Sequence, residues 1–167
     1  RAQRDKVPYL LWIEQGFVTA TPGNVVDYER IKLDLQEDAE HFQITSVAID
    51  RWNATQLTTQ LTGAGFDVVP FGQGMVSMAG PSKEFERMVL SGRYRHGDNP
   101  VLAWMVRNVA VEQDAAGNIK PSKKKSRERI DGVVALVMAT GLAGSVQTEE
   151  ESVYSKPGAG VFFLGDD

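Results

Sequence analysis

Two short apolar runs, 44–49 (ITSVAI) and 66–71 (FDVVPF), flank a segment, ATQLTTQLTGAG, that has helical spacing and stops on Gly63 and Gly65. Runs of this length, bounded by turn residues and a helix, suit strands buried on both faces. A strand, a helical crossover and a second strand give a parallel pair, and hence an α/β layer. The first run ends on Asp50, and the crossover helix begins almost at once, with Asp50 or Asn53 as its expected cap. A carboxylate at the carboxyl end of a strand sits where open α/β sheets place their ligands. Why this chain puts one there is the central question of its chemistry.

The remaining elements are expected from spacing and punctuation. Residues 5–15 predict a helix with Leu10, Leu11 and Trp12 as buried candidates and Gly16 as its stop. Residues 17–20 predict a brief strand, followed by a turn at Thr21-Pro22-Gly23. From Asn24, apolar residues at 25, 28, 31, 35 and 42 predict a helix with a polar outer face. A helix over 82–91 with Ser82 as cap, and another over 99–107 with Pro100 at its first position, come next. Residues 108–120 carry Asp-Ala-Ala-Gly-Asn between two apolar arms, a hairpin signal. A last helix is expected from Ser126 to about Thr140, with Ile130, Val133, Val134, Val137 and Met138 as its apolar stripe. The expected architecture is a three-layer α/β domain over 1–146, incomplete on its N-terminal side. An acidic, flexible tail over 147–167 is expected to follow it.

Length and composition bound this reading. A chain of 167 residues holds one domain with a proper core, and 42% hydrophobic with 24% charged residues is ordinary for a globular protein. There is no cysteine, so disulfides and thiolate metal sites are excluded. No apolar stretch approaches the ~20 residues of a membrane span, and no secretory signal follows the opening RAQRDK. Beginning at Arg1 rather than Met, the chain is expected to be a fragment or a processed product. The net charge of −4 is unevenly spread. Residues 147–167 hold five acids against Lys156 alone, which leaves the body neutral. Within it, KPSKKKSRER (120–129) concentrates six basic residues against one acid. Phosphate binding depends on such local clustering rather than on the overall balance.

Two acids stand out. Asp50 is either a turn or cap residue or a ligand for a hard cation, which wants carboxylate oxygens held rigidly. Asp131 falls beside the apolar stripe of SRERIDGVVALVMATG, where an acid is unusual unless paired or ligating. It pairs with Arg127, lies at the solvated edge of the stripe, or binds metal. Gly132 costs a helix about 1 kcal/mol relative to Ala, a cost that makes sense if something approaches the backbone closely. Glu128, three residues earlier, is an auxiliary ligand or a surface ion-pair partner. Lys120, Lys123, Lys124, Lys125, Arg127 and Arg129 form a solvated loop or, beside two carboxylates, a contact surface for a phosphate backbone. His96 in YRHGDNP is a structural loop histidine or a further nucleic-acid contact. No P-loop, GxSxG or metal-binding His pair occurs.

Four phrases carry a resemblance: TPGNVVDYERI, AIDRWNATQLTTQLTGAGFDVVPFGQG, KEFERMVLSGRYRHGDNPVLAWMVRNVAV and GNIKPSKKKSRERIDGVVALVMA. In this order, over about residues 5–143, the chain resembles the C-terminal nuclease domain of tailed-phage large terminase subunits. The resemblance implies an RNase H-like fold, with a mixed central sheet flanked by helices, that cuts double-stranded DNA during genome packaging. It implies an acidic cluster holding two divalent ions, Mg2+ or Mn2+. Asp50 and Asp131 would be its second and third acids, and Glu128 would occupy an auxiliary position. The family's first acid lies on a strand upstream of anything here, as does the packaging ATPase; Asp5 and Asp27 lie in helical contexts. An incomplete metal site is therefore expected. The implied partners are DNA and, for the parent protein, the portal and the small terminase subunit. No membrane is implied, and the setting would be the cytoplasm of a bacterial host. A non-catalytic DNA-clamping or docking module is the alternative. Resolvases and transposases share such acids without the long phrases.

Overall fold

A computed structural model describes residues 7–52 and 55–150. Helix α1 (Tyr9–Glu14) is short, and it ends because the amides of Phe17 and Val18 both donate to the Trp12 carbonyl. That closure takes up the backbone of 17–18, and no strand forms there. Trp12 is buried, stacked at a tilt on Trp104 with centroids 5.6 Å apart, while Leu10 and Leu11 are exposed. Helix α2 (Tyr28–His41) begins where the Asp27 carboxylate accepts from the Arg30 amide at 3.0 Å. It starts four residues after Asn24 because the cap, not the first apolar residue, sets the boundary.

Strand β1 (Val47–Asp50) and strand β2 (Val68–Phe71) pair in parallel, Val47 with Val68 through Asp50 with Phe71. Helix α3 (Thr55–Gly63) is their crossover, as the two apolar runs predict. Asn53, the alternative cap, lies outside the described residues. Helix α4 (Met75–Leu90) starts seven residues before Ser82, which is buried in its interior rather than capping it. Helix α5 (Pro100–Asn108) has Pro100 in its first turn, and the Asn99 side chain accepts from the amides of Val101 and Leu102, each at 3.0 Å. Strands β3 (Val111–Gln113) and β4 (Ile119–Pro121) form the expected hairpin. Asp114 closes its turn by accepting from the amides of Ala116 and Asn118 at 2.9 and 2.8 Å. The strands therefore form two small sheets, one parallel and one antiparallel, with helices around them.

Helix α6 (Asp131–Glu150) runs through the middle. Ile130, Val134, Val137 and Met138 form the core with Met78 of α4, and Ala48, Phe71, Phe85 and Val109 pack around them. The expected stripe is the observed one, but the helix limits differ: α6 starts at Asp131 rather than Ser126 and continues past Thr140 to Glu150. Residues 151–167 of the expected tail lie outside the described residues.

Two glycines let α6 approach its neighbours. A Cβ at Gly132 would stand 2.8 Å from the sulfur of Met105, to which the Gly132 amide donates at 3.1 Å. The close approach that a mid-sequence glycine suggested is therefore to a methionine sulfur. A Cβ at Gly141 would stand 2.7 Å from Pro81 Cγ and 2.8 Å from Phe71 Cζ. Both neighbours are rings and cannot yield by rotating a flexible end. Gly141→Ala should therefore cost about 1–3 kcal/mol by overpacking. Gly80→Ala in α4, where a Cβ meets nothing within 4 Å, should be neutral or stabilising by up to about 1 kcal/mol. Urea denaturation midpoints of the two variants test the contrast.

Candidate metal and nucleic-acid site

Asp50 is the last residue of β1. Side chains alternate across a strand, so Asp50 shares a face with Ala48, which packs against the α6 core. Its carboxylate therefore points to the α6 side of the sheet, beyond the last core contact. One oxygen, Oδ1, accepts from the Trp52 amide at 3.3 Å. The turn role and an outward-facing carboxylate coexist, because a carboxylate has oxygens to spare for both. Trp52, beside it, is 82% exposed. The signal for it in the sequence is a tryptophan two residues after a strand-end acid.

Asp131 is the first residue of α6. Preceding Ile130 is almost wholly buried and anchors the backbone, while the Asp131 side chain remains 58% exposed. A carboxylate in a first helical turn also interacts favourably with the positive end of the helix dipole. The acid is thus held at a rigid point and presented to solvent.

The segment before α6 is a series of turns, not the first turns of the helix. Ser126, expected to open α6, is engaged elsewhere. Its hydroxyl donates to the Ser122 carbonyl at 2.7 Å and accepts from the Ala110 amide at 3.0 Å. This ties the basic loop to the base of the hairpin. As a result Glu128 does not lie on α6 with Asp131, although a helix from Ser126 would have held both; it precedes the helix. The loop nevertheless folds over the helix start, and Lys123, Arg127, Glu128 and Arg129 line one concavity of about 290 Å³ with Asp131.

The ion pair that forms at Asp131 is with Lys123, not Arg127: Lys123 Nζ lies 2.9 Å from Asp131 Oδ1. The expected i−4 partner requires a continuous helix through both residues, and the chain has none there. Lys120 is engaged across the hairpin, 3.6 Å from Glu112. Lys124 and Lys125 are exposed on the same loop but do not line the concavity. His96 is elsewhere, stacked on Tyr94 with centroids 6.3 Å apart, in a separate apolar groove between α4, α5 and the hairpin. The structure thus groups Asp131, Lys123, Arg127, Glu128 and Arg129, and does not bring His96 to them.

Among the described residues no three His, Cys, Asp or Glu side chains gather closely enough to hold a metal ion. Asp50 and Asp131 have the oxygen-donor chemistry that suits a hard divalent cation, and Lys123 shows that Asp131 holds a positive charge.

Comparison with known proteins identifies the family. A family model for the terminase large subunit, endonuclease domain, matches residues 1–147. The chain belongs to that family. It is 40% identical over 152 residues to the large terminase subunit of Enterobacteria phage HK97, covering 90% of this chain and 30% of that protein. It is 34% identical over 142 residues to protein YmfN of Escherichia coli (strain K12), covering 83% and 31%. The chain therefore spans about a third of the length of these relatives. The crystal structure of the HK97 large terminase superposes with a TM-score of 0.79 at 40% identity, over 85% of this chain and 30% of that one. The large terminase nuclease from thermophilic phage G20c shares the fold, with a TM-score of 0.55 at 17% identity over 70% and 63% of the two chains. The fold is that of terminase nuclease domains, RNase H-like in class, and no described helix is long and apolar enough to cross a membrane.

The Ser126 link makes a local prediction. Ser126→Ala leaves the half-buried Ala110 amide without its acceptor, and should destabilise the domain by about 1–3 kcal/mol. Ser91→Ala, at an exposed hydroxyl bonded only to the Met88 carbonyl, should change stability by less than about 0.5 kcal/mol. Thermal melts of the two variants compare them directly.

Proposed function

We propose that this chain is the nuclease portion of a DNA-packaging terminase large subunit, and that Asp50 and Asp131 are two ligands of a divalent-metal site that cuts double-stranded DNA. The observation that carries the reading is Asp131: a solvent-facing carboxylate fixed at the first residue of the central helix, with a basic loop folded over it. A carboxylate under a canopy of Lys and Arg is an arrangement suited to a metal beside a phosphodiester. The cations orient the DNA backbone, and the acids hold the metal.

Asp50 would hold metal from the strand end, and its hydrogen bond from the Trp52 amide keeps the carboxylate from swinging free. Asp131 would do so from the helix start. Arg127 and Arg129, in the same concavity, would bind the phosphates flanking the scissile bond; Lys124 and Lys125 would extend that surface. Glu128 would serve as an auxiliary acid from the loop. Bound Mg2+ or Mn2+ supplies activation of the attacking water and neutralisation of charge on the leaving oxygen. No group of three or more His, Cys, Asp or Glu side chains gathers among the described residues, and Asp50 and Asp131 are proposed as two members of a larger ligand set.

Either Asp50→Asn or Asp131→Asn should lower Mn2+-dependent cleavage of a linear duplex by at least about 100-fold in the protein that carries this domain, with its melting temperature within a few degrees. Full cleavage by both variants removes the assignment. Duplex binding should also weaken steeply with salt, and Arg127→Ala with Arg129→Ala should flatten that dependence by about two counterions' worth. Filter binding between 50 and 200 mM salt, a span of the order over which such contacts are resolved, measures the slope.

A further inference from the structure

We propose that Lys123 is a resident counter-cation of Asp131, competing with the divalent metal for this carboxylate and giving it up when a backbone phosphate takes its ammonium group. The inference rests on the metal-site reading above. Its basis is one contact: Lys123 Nζ lies 2.9 Å from Asp131 Oδ1, with the two side chains 55% and 58% exposed. A divalent ion would bind the same oxygen at about 2.0–2.2 Å, and so within about 5 Å of an unmoved ammonium. The carboxylate has further acceptor positions, but two positive charges at that separation repel, so metal entry at Asp131 favours displacement of Lys123.

Lys123 is built to move. It is a flexible four-carbon stem on a loop, and exposed pairs of this kind are weak, so displacement is easy. The loop's hydrogen-bonded tie is at Ser126 and Ser122, which leaves the Lys123 side chain to swing without disturbing the anchor. The concavity also holds Arg127, Glu128 and Arg129, so a phosphate drawn in by the arginines arrives within reach of the same lysine. A phosphate oxygen then replaces Asp131 as partner of the ammonium, and Asp131 is released to metal. The device couples the two ligands: the carboxylate is neutralised internally without DNA, and becomes available when DNA is present. Coupling of this kind is reciprocal, so bound metal should also free Lys123 for DNA.

Titration of the 167-residue chain with Mn2+, following the free-ion signal by electron paramagnetic resonance, tests the competition. Lys123→Met should tighten Mn2+ binding by about three- to tenfold, the effect of removing one nearby charge under screening. Lys124→Met, on the same loop but outside the concavity, should change it by less than about twofold. Asp131→Asn should abolish the site in both backgrounds. If Asp131→Asn loses Mn2+ but Lys123→Met binds no tighter than wild type, the competition is overturned and the metal reading stands. If Asp131→Asn binds Mn2+ as well as wild type, both fall. Absence of binding to wild type and Lys123→Met alike also overturns the proposal.

A metal-free arm tests the lysine's second partner. In EDTA, Asp131→Asn should tighten binding of a fluorescent duplex at least about threefold in the wild-type background, and by clearly less in Lys123→Met. Equal gains in both backgrounds would mean that Asp131 repels DNA directly, with no lysine released, and would overturn the exchange.

Discussion

Everything in this domain depends on the packing of one apolar stripe against its neighbours. Ile130, Val134, Val137 and Met138 bury the inner face of α6, and Met78, Ala48, Phe71, Phe85 and Val109 are the surfaces they meet. Each buried aliphatic side chain contributes about 1.5–3 kcal/mol, far more than any exposed ion pair in the molecule. The stripe also sets positions. Because Ile130 is locked in the core, the backbone of Asp131 is fixed. Because Ala48 packs under the same helix, the next residue on its side of β1, Asp50, is oriented as well. The hydrophobic effect supplies no direction of its own, yet here it determines where two carboxylates stand.

The close fit is obtained by removing atoms. At Gly132 and Gly141 the backbone of α6 lies against Met105, Pro81 and Phe71, with no room for a methyl group. Pro81 occurs inside α4, where its missing amide leaves the helix one hydrogen bond short. Its ring fills the space over Gly141 instead. Two residues unfavourable to helices thus meet at a single contact, and each has a packing reason that propensity alone does not supply.

Much of this was legible in the sequence. The parallel pair and its crossover followed from two short apolar runs, the hairpin from its Asp-Ala-Ala-Gly-Asn turn, and α5 from Pro100 at its first position. In each case the signal is local and the structure satisfies it locally. The misread boundaries share a cause: a residue with good capping chemistry had a better partner elsewhere. Ser126 is hydrogen-bonded to Ala110 and Ser122, sixteen and four residues away, so α6 begins at Asp131. Ser82 is buried inside α4, and an apparent capping residue was in fact interior. Residues 17–18 close α1 through the Trp12 carbonyl rather than pairing as a strand. For the site, both acids were visible as types in unusual places. The grouping of Asp131 with Lys123 was not, because it depends on a loop folding back over a helix start, which no periodicity encodes.

The division between the anchored acid and its surrounding cations sets how this face can change over evolutionary time. A substitution on the inner face of α6 disturbs a core in which even a methyl group is excluded at two positions, so that face can vary only within narrow steric limits. Exposed Lys124 and Lys125 bear no such constraint, and their number, spacing and identity can drift while the domain keeps its shape. On the proposed reading of this face, such drift would retune the grip on the polymer, and the ionic strength at which it is released, without altering the helix that carries the acid.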